Sequence, residues 1–383
     1  MFAYRLVWLP AILILSALEP WSVAKVPASE TQPPRKFSTR AELQREYDRD
    51  GDGRLSAEER RKMVEDIAAG RVEVPEQFRE AILRIEQRLR DRTNPPAGRG
   101  ASDKVVVHRD VVYGEGGGRP LKLDIILPQP EPEGPLPLIV FVHGGGWRGG
   151  DKAGGVGRVA PLVATGNYVG ATIGYRLSGE ATWPAQIHDC KAAIRWLRAN
   201  AQKYHVDPER IGVWGSSAGG HLVNMLGTSG GVEQLEGSGG SPDQSSRVQC
   251  VVPFCGPTNF LAPRRLEGGR PEGAVHHLLG GAIEDRQEMA REASPITYVS
   301  AGDPPFLIVH GTADQTVPFE QAEMFYEALK KAGVEVTFVR IVGGSHAVGG
   351  EEVMQRVAAF FDKHLRGQDV EVSEEPIQAP AAR

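Results

Sequence analysis

The sequence predicts an α/β fold: one mostly parallel sheet of eight strands with helices on both faces, preceded by a small helical module. From residue 104 onward, near-continuous apolar runs alternate with helix patterns. Strands of a parallel sheet are covered on both faces, so they are apolar throughout rather than alternating. A chain of 383 residues also exceeds one typical domain, which suits a large domain with a smaller one attached.

The composition is that of an ordinary globular protein, with 40% hydrophobic and 24% charged residues. A net charge of -5 argues against a strongly basic nucleic-acid binder. The three cysteines, Cys190, Cys250 and Cys255, allow one disulfide at most and lack the spacing of a metal site. We interpret them as small buried hydrophobic residues.

The N-terminus has the pattern of a cleaved signal peptide over residues 1–24. Arg5 supplies the positive charge, residues 6–18 the apolar segment, and residues 22–24 (Ser-Val-Ala) the small-residue cleavage signal. A membrane anchor is the alternative, but the apolar run is short and Pro10 interrupts it. The pattern therefore predicts export, to a secreted or periplasmic location, without a stable membrane anchor.

Residues 25–37 form a predicted linker, and residues 38–92 a module that contains an acidic loop. The loop has acidic residues at its positions 1, 3 and 5, glycine at 6, an apolar residue at 8 and glutamate at 12. A hard cation takes six or seven oxygen ligands, and this spacing wraps them around it. The candidate ligands are Asp48, Asp50, Asp52, the Arg54 carbonyl, Ser56 (directly or through water) and Glu59.

The module resembles EF-hand proteins over roughly residues 36–70, with an entering helix over 39–47 and a leaving helix over 57–69. The resemblance implies bound Ca²⁺; the alternative is a solvated acidic loop. EF-hands usually pair, and this sequence has one loop. An amphipathic helix after Pro75 could cover its apolar face or pack on the main domain. Residues 93–103, rich in Pro and Gly, form a second predicted linker.

The large domain is predicted over residues 104–366. An insertion over 257–300 follows a strand end and is a candidate lid, and residues 367–383 are predicted to be a disordered tail. Helix patterns occupy 184–204, 319–331 and 351–365. The eight predicted strands cover residues 105–107, 121–127, 138–142, 168–173, 211–214, 248–254, 306–309 and 334–342.

The apolar strand that ends near Trp214 leads into Gly-x-Ser-x-Gly and then a helix. This is the nucleophile-elbow pattern, in which a sharp turn exposes Ser217 above the sheet edge. The backbone N–H of Ala218, at the start of the helix, would point at a developing oxyanion. A plain Gly/Ser turn is the alternative interpretation, and the flanking motifs decide against it.

The strand over 138–142 ends in His143-Gly-Gly-Gly-Trp147. Glycines let the backbone approach a substrate oxygen, so their N–H groups can complete the oxyanion hole. A phosphate-binding loop is the alternative, but the Lys-Ser/Thr pair of a P-loop is absent.

Two further strand ends carry Asp314 and His346, so the chain order is Ser217, Asp314, His346. The serine hydroxyl is inert at its own pKa and needs His346 as general base. Asp314 would fix the imidazole tautomer and stabilise the imidazolium. Three catalytic residue types at three strand ends predict nucleophilic acyl transfer.

These motifs resemble the α/β-hydrolase superfamily. They resemble more closely the bacterial esterases grouped with hormone-sensitive-lipase-like carboxylesterases and with acetylxylan and feruloyl esterases. The resemblance implies that Gly145, Gly146 and Ala218 supply the oxyanion N–H groups. It covers about residues 104–366 and depends on residues 143–152 (HGGGWRGGDK), 174–177 (GYRL), 183–186 (WPAQ), Asp189, 215–220, Asp314 and His346.

Other candidate residues have structural explanations. His143 and His310 end strands beside glycines and are interpreted as holding the adjacent loops. Asp189 lies in a predicted helix and is expected to form an ion pair or cap, so Asp314 is the predicted acid. Trp147 and Trp183 could stack on a sugar or aryl ring, or pack in the core.

The sequence thus predicts an exported serine esterase that forms an acyl-Ser217 intermediate and carries a Ca²⁺-binding EF-hand. Expected substrates are small esters or acylated carbohydrates, possible acyl groups being acetyl and feruloyl, and no nucleic acid is expected as a partner. The EF-hand module could attach the protein to a partner or cell surface. Alternatives are a peptidase or arylformamidase on the same scaffold, or a calcium-dependent adhesion protein with a vestigial hydrolase.

Overall fold

The computed structural model describes residues 35–37, 39–48, 59, 62–63, 66–67, 71–75, 102–262 and 273–379. The predicted signal peptide and the helix expected after Pro75 lie outside these residues. The chain divides into two compact units, Met1–Glu86 and Gln87–Arg383. In the part of the chain that is described, no helix is both long and apolar enough to cross a membrane.

The first unit contains strand β1 (Arg35–Lys36), helix α1 (Arg40–Tyr47) and strand β2 (Val72–Glu73), with β1 parallel to β2. Thr39 begins α1 with a capping box, since its hydroxyl accepts the Glu42 N–H and the Glu42 carboxylate accepts the Thr39 N–H. Residues 59, 62–63 and 66–67 are also helical. The core of the unit comprises Leu43, Tyr47, Met63, Ile67 and Val72.

Asp66 is a buried charged residue of this unit. Its carboxylate accepts hydrogen bonds from the Tyr47 hydroxyl (2.8 Å) and the Arg71 Nε (2.8 Å), and Lys62 Nζ lies 3.2 Å away. Burial alone would raise the pKa of Asp66, but these donors outweigh it and lower the pKa to about 2. Asp66 therefore ties α1 to the second helical segment and to the residue before β2.

The second unit is built on a nine-stranded sheet in the order β11-β10-β9-β8-β7-β5-β6-β4-β3. Strand β4 runs antiparallel to β3 and β6, and the other neighbouring pairs are parallel. The strands are β3 (Val105–Gly116), β4 (Arg119–Pro128), β5 (Leu136–Val142), β6 (Val169–Ile173), β7 (Val206–Ser216), β8 (Cys250–Phe254), β9 (Phe306–Gly311), β10 (Val336–Val342) and β11 (Ile377–Gln378).

Helices cover both faces of this sheet. Short 3-10 helices span Ser102–Lys104, Gln202–Tyr204, Ile283–Asp285 and Pro295–Tyr298. The α-helices are α2 (Ala153–Val163), α3 (Ala185–Ala199), α4 (Ala218–Thr228), α5 (Glu233–Glu236), α6 (Ala274–Leu279), α7 (Gln287–Glu292), α8 (Glu320–Lys331) and α9 (Glu351–Arg366).

The two faces have separate apolar cores. Helices α3, α4 and α8 contribute to one core and α2 and α9 to the other. Neighbouring residues of a strand point to opposite faces, so Val213 joins the first core and Trp214 the second. Apolar side chains are thus needed at consecutive strand positions, which explains the continuous apolar runs.

Two features differ from the predicted eight-stranded sheet and disordered tail. Each predicted apolar run coincides with a strand, but a ninth strand, β11, pairs with the end of β10. The guanidinium of Arg356 donates to the carbonyls of Ser373 (3.0 Å) and Glu375 (2.5 Å), and Val372 and Ile377 pack on the second core. These contacts hold residues 367–379 against the sheet, although four of these thirteen residues are acidic.

Parallel strands bring their carboxyl ends to one edge of the sheet. Here β5, β7, β9 and β10 lead into the loops that carry the predicted catalytic residues. The insertion over 257–300 contains α6 and α7, and a Cβ atom built on Gly146 would lie 3.0 Å from the Cβ of Ala274. The insertion thus contacts the glycine loop after β5; its role as a lid stays a prediction.

Candidate active site

The turn between β7 and α4 holds Ser217 at φ 57° and ψ -119°. Its backbone N–H donates to the Phe254 carbonyl (2.7 Å), which fixes this conformation. Any residue larger than glycine would clash with the backbone on either side of Ser217. A Cβ at Gly215 would lie 2.3 Å from the Gly219 oxygen, and one at Gly219 would lie 2.0 Å from the Val142 oxygen. The turn is therefore as tight as the motif predicts.

The structure brings Ser217, His346 and Asp314 into one hydrogen-bonded chain. His346 Nε2 lies 2.9 Å from Ser217 Oγ, and His346 Nδ1 lies 2.7 Å from Asp314 Oδ2. The Asp314 side chain is fully buried, and that of His346 is 28% exposed. This geometry allows His346 to take the serine proton while Asp314 holds the ring.

Asp314 receives more donors than the triad alone requires. Its Oδ1 accepts the backbone N–H groups of Thr316 (2.8 Å) and Val317 (3.0 Å). Its Oδ2 lies 3.2 Å from His310 Nε2 as well as beside His346. Burial would raise the pKa of Asp314, but hydrogen bonds from His310, His346 and Val317 hold it well below its usual range. The carboxylate is thus ionised and fixed in rotamer.

The contact between His310 and Asp314 was missed at the sequence level. His310 Nε2 also lies 3.0 Å from the Val317 carbonyl, which can only accept, so Nε2 carries the ring proton. His310 holds the acid loop, as the sequence suggested, and also supports the carboxylate itself. The sequence signal for this contact was the four-residue spacing between His310, at the end of β9, and Asp314, in the loop that follows.

The predicted oxyanion donors lie around Ser217. Ala218 begins α4, and the first N–H groups of a helix have no partner within it. Gly145 and Gly146 adopt φ angles of +119° and +60°, and the Gly145 carbonyl accepts the N–H groups of Arg148 and Gly149. A Cβ at the preceding Gly144 would lie 3.3 Å from the Ser217 Cβ. The loop therefore lies against the nucleophile, and the role of its N–H groups stays a prediction.

Asp189 and the two tryptophans have structural partners. The Asp189 carboxylate accepts three groups of Arg176, namely its backbone N–H (2.9 Å), Nε (2.9 Å) and Nη2 (2.6 Å). Trp183 donates its indole N–H to Glu292 (2.8 Å) and is 2% exposed. Trp147 is 3% exposed and packs edge-on against His221 and Phe260. Both rings belong to the core.

His221 is a buried neutral imidazole behind the elbow. Its Nδ1 accepts the Trp147 indole N–H (3.2 Å), and its Nε2 donates to the Ala293 carbonyl (2.7 Å). If Nδ1 also carried a proton, this proton would face the Trp147 indole N–H, so the charged form of His221 is disfavoured. Burial lowers the pKa of His221 from 6.5 to about 4, although the bond to Ala293 opposes this shift.

This buried histidine predicts acid sensitivity. Between pH 6.5 and about 4 the unfolded chain binds a proton at His221 and the folded chain does not, so the free energy of unfolding falls as the pH falls. The change is worth about 3 kcal/mol. Denaturant titrations from pH 7 to 4.5 should show a shallower decline for His221→Gln. The exposed His108→Gln is the control, and equal slopes in all three proteins would refute the role of His221.

The predicted calcium ligands are only partly described. Asp48 forms the C-cap of α1, and Glu59 is helical and 8% exposed. The first and twelfth loop positions therefore fall at a helix end and in a helical segment, as a helix-loop-helix ligand set requires. The other candidate ligands, Asp50, Asp52, Arg54 and Ser56, lie outside the described residues.

The sheet order and the serine-histidine-aspartate chain define the class of this protein, an α/β hydrolase. Within that class the chain belongs to the BD-FAE family, whose family model matches residues 123–329, more than half of the chain. The resemblance to this superfamily predicted from the motifs is confirmed.

Curated relatives and solved structures agree with the class. Esterase LipC of Mycobacterium tuberculosis is 33% identical over 267 residues, which cover 69% of this chain and 65% of LipC. The probable carboxylic ester hydrolase LipM of the same organism is 31% identical over 62% of this chain and 55% of LipM. The alignments thus span between half and two thirds of these relatives.

The alignments with two solved structures cover nearly the whole length of those structures. A truncated carbohydrate esterase from gut microbiota has a TM-score of 0.64 at 30% identity, over 69% of this chain and 98% of that one. Esterase Est2 of Thermogutta terrifontis, with butyrate bound, has a TM-score of 0.56 at 29% identity, over 70% and 95%. The prediction of a carboxylic ester hydrolase domain is confirmed by these similarities.

Proposed function

We propose that the whole protein is a serine esterase that hydrolyses short-acyl carboxylic esters, including acetyl or feruloyl esters of plant polysaccharides. The observation that carries the proposal is the hydrogen-bonded chain from Ser217 Oγ through His346 to the buried carboxylate of Asp314. The similar carbohydrate esterase and the butyrate-bound Est2 support the substrate class.

The proposed reaction is acyl transfer in two steps, acylation of Ser217 and hydrolysis of the acyl-enzyme. Ser217 Oγ attacks the ester carbonyl carbon while His346 Nε2 removes its proton. The N–H groups of Gly145, Gly146 and Ala218 stabilise the oxyanion, each by on the order of 3 kcal/mol. His346 then protonates the leaving alcohol. Water, deprotonated by His346, attacks the acyl-Ser217 carbonyl carbon; the bond to Ser217 Oγ breaks, His346 returns the proton to Oγ, and the acid leaves.

A substrate panel tests the proposal against its alternatives. Initial rates are compared on nitrophenyl acetate, acetylated xylan, a feruloyl ester, formylkynurenine and a dipeptide amide. Faster turnover of the amide or of formylkynurenine would favour a peptidase or arylformamidase. Failure of a fluorophosphonate to label Ser217 would favour the adhesion protein with a vestigial hydrolase.

We expect short acyl groups to be preferred. The apolar residues of α6, Val275, Leu278 and Leu279, are buried in the core, so they are not available to line a long acyl channel. Across acetyl to dodecanoyl nitrophenyl esters, kcat/KM should peak at two to four carbons and fall at least about tenfold at the long end, a difference of about 1.4 kcal/mol. Ser217→Ala measures the background, and a maximum at dodecanoyl would contradict the prediction.

We also propose that residues 1–24 direct export and that the EF-hand binds Ca²⁺. The N-terminal sequence of the mature protein tests export, because cleavage after Ala24 should leave Lys25 first. The ion would serve stability or attachment, since all three members of the proposed triad follow residue 200 and serine chemistry with an oxyanion hole needs no metal.

Calcium removal should therefore act on the first unit. Binding to the folded module adds to its folding free energy, so EGTA or Glu59→Gln should lower its melting temperature. The kcat on nitrophenyl acetate should stay within about twofold, since each tenfold change in rate requires about 1.4 kcal/mol at the transition state. Calorimetry and kinetics measure both effects, with Glu58→Gln as control because position 11 is not a ligand. A large fall in kcat would instead show that the hand acts on the active site.

A further inference from the structure

A cavity of about 420 Å³ lies at the same sheet edge as the triad, beside β5, β6 and the start of β4. Its wall includes His143, and a Cβ on the next residue, Gly144, would touch the Ser217 Cβ. Charged side chains surround it, three cationic and three anionic: Arg119, Lys122, Lys152, Asp110, Asp151 and Glu180.

The charges of this cavity balance, which disfavours a ligand with a net charge. Arg119 donates to Glu180 (2.6 Å), and Lys152 Nζ lies 3.0 Å from Asp110. Burial lowers the pKa of His143, which favours its neutral form. Paired charges offer donors and acceptors side by side, which is what the hydroxyl groups of a neutral polyol require.

The cavity is also pre-organised. The Lys152 side chain is 10% exposed, and its Nζ lies 2.7 Å from the fully buried Asp124. The Asp124 carboxylate accepts the backbone N–H of Asp110 (2.9 Å), which holds Asp110 at φ 58°. Because Lys152 and the backbone at Asp110 are fixed before a ligand arrives, little entropy is lost in ordering them on binding.

Apolar side chains complete the wall. Pro120, Leu121 and Leu177 lie among the charged groups. A sugar ring has an apolar C–H face and polar hydroxyl edges, so this mixed lining suits it better than a fully polar ion or a lipid chain.

The position of the cavity determines which sugar residue of a carbohydrate ester could occupy it. Ser217 follows β7, and β7, β5, β6 and β4 are consecutive neighbours in the sheet. At about 4.8 Å per strand, β7 and β4 are about 14 Å apart. This span exceeds one sugar ring, so the ring that carries the ester at Ser217 could not reach the far end of the cavity, at β4.

We propose that this cavity is a subsite for a neutral, unacylated sugar residue of a carbohydrate ester whose acylated residue lies at Ser217. The inference rests on the proposed esterase function and adds recognition of the carbohydrate chain. The protein is then a carbohydrate-chain esterase, and short esters without the chain lack this contribution to binding.

The test uses acetylated xylo-oligosaccharides of one to four sugar residues and nitrophenyl acetate with the full-length chain. The readout is the kcat/KM of each oligosaccharide divided by that of nitrophenyl acetate in the same protein. Lys122→Trp and Pro120→Trp fill the cavity from exposed positions. Glu209→Trp is the control, since it introduces the same side chain at an exposed position near the amino end of β7, at the opposite edge of the sheet.

We expect the ratio to rise at least about tenfold between one and three sugars, through KM, in the wild type and in Glu209→Trp. In the two cavity variants the rise should fall below about twofold. A rise that survives both cavity variants, or no rise in the wild type, would overturn the subsite.

A binding measurement separates this inference from the esterase proposal. Ser217→Ala is titrated with unacetylated xylotriose and with inorganic phosphate, alone and combined with Lys122→Trp. Xylotriose should bind, and Lys122→Trp should weaken it at least about tenfold. If the wild-type protein is inactive on all esters, the proposed esterase function is refuted, but this titration still tests whether the cavity binds a sugar. Phosphate that binds as tightly as xylotriose would refute the neutral-sugar assignment.

Discussion

Ser217→Ala is expected to fold normally and to lose at least about a thousandfold in kcat on nitrophenyl acetate. The serine hydroxyl is the only nucleophile that the structure places against His346 Nε2 in the described residues. The turn should survive, because the backbone N–H of residue 217 and the neighbouring glycines fix it. Circular dichroism and steady-state kinetics measure the two effects.

Ser216→Ala is the matched control for this prediction. Ser216 ends β7 one residue earlier and pairs with Phe254 in the sheet ladder. It should retain its activity and fluorophosphonate labelling, both of which Ser217→Ala should lose. Activity in Ser217→Ala together with inactivity in Ser216→Ala would show that the nucleophile is misassigned.

The buried strands and the tight turn at Ser217 were predictable because each satisfies a strict local requirement. Residues 211–214 of β7 carry no polar side chain, since both faces of the sheet are covered there. Gly215 and Gly219 are fixed by contacts shorter than any Cβ could tolerate. Such requirements leave a signature in a few consecutive residues, so no knowledge of distant contacts is needed.

The remainder depends on distant contacts. Strand β3 extends to Gly116, although only residues 105–107 were predicted. The rest of the strand was missed because it lies at the edge of the sheet, is largely exposed and is irregular near Asp110, so it has no continuous apolar run. The tail becomes ordered by pairing with β10. The cavity is assembled from β3, β4 and the two loops that follow β5 and β6, so no single segment of the sequence predicts it.

The identity of the catalytic acid gives the second large expected effect. Four donors converge on Asp314: two backbone N–H groups on Oδ1, and His310 Nε2 and His346 Nδ1 on Oδ2. In Asp314→Asn the backbone donors retain the amide oxygen, which turns the NH₂ group toward His346. An NH₂ group can only donate, so His346 must accept at Nδ1 and carry its proton on Nε2.

With its proton on Nε2, His346 cannot remove the proton of Ser217. Asp314→Asn should therefore lower kcat about ten-thousandfold with little change in KM for nitrophenyl acetate. Asp189→Asn is the control, because Asp189 is a buried carboxylate bound to Arg176; it should lower the melting temperature and leave kcat within about tenfold. If Asp189→Asn is the inactive variant and Asp314→Asn turns over normally, the acid of the triad is Asp189, and the hydrogen bonds at Asp314 serve only to hold the loop after β9.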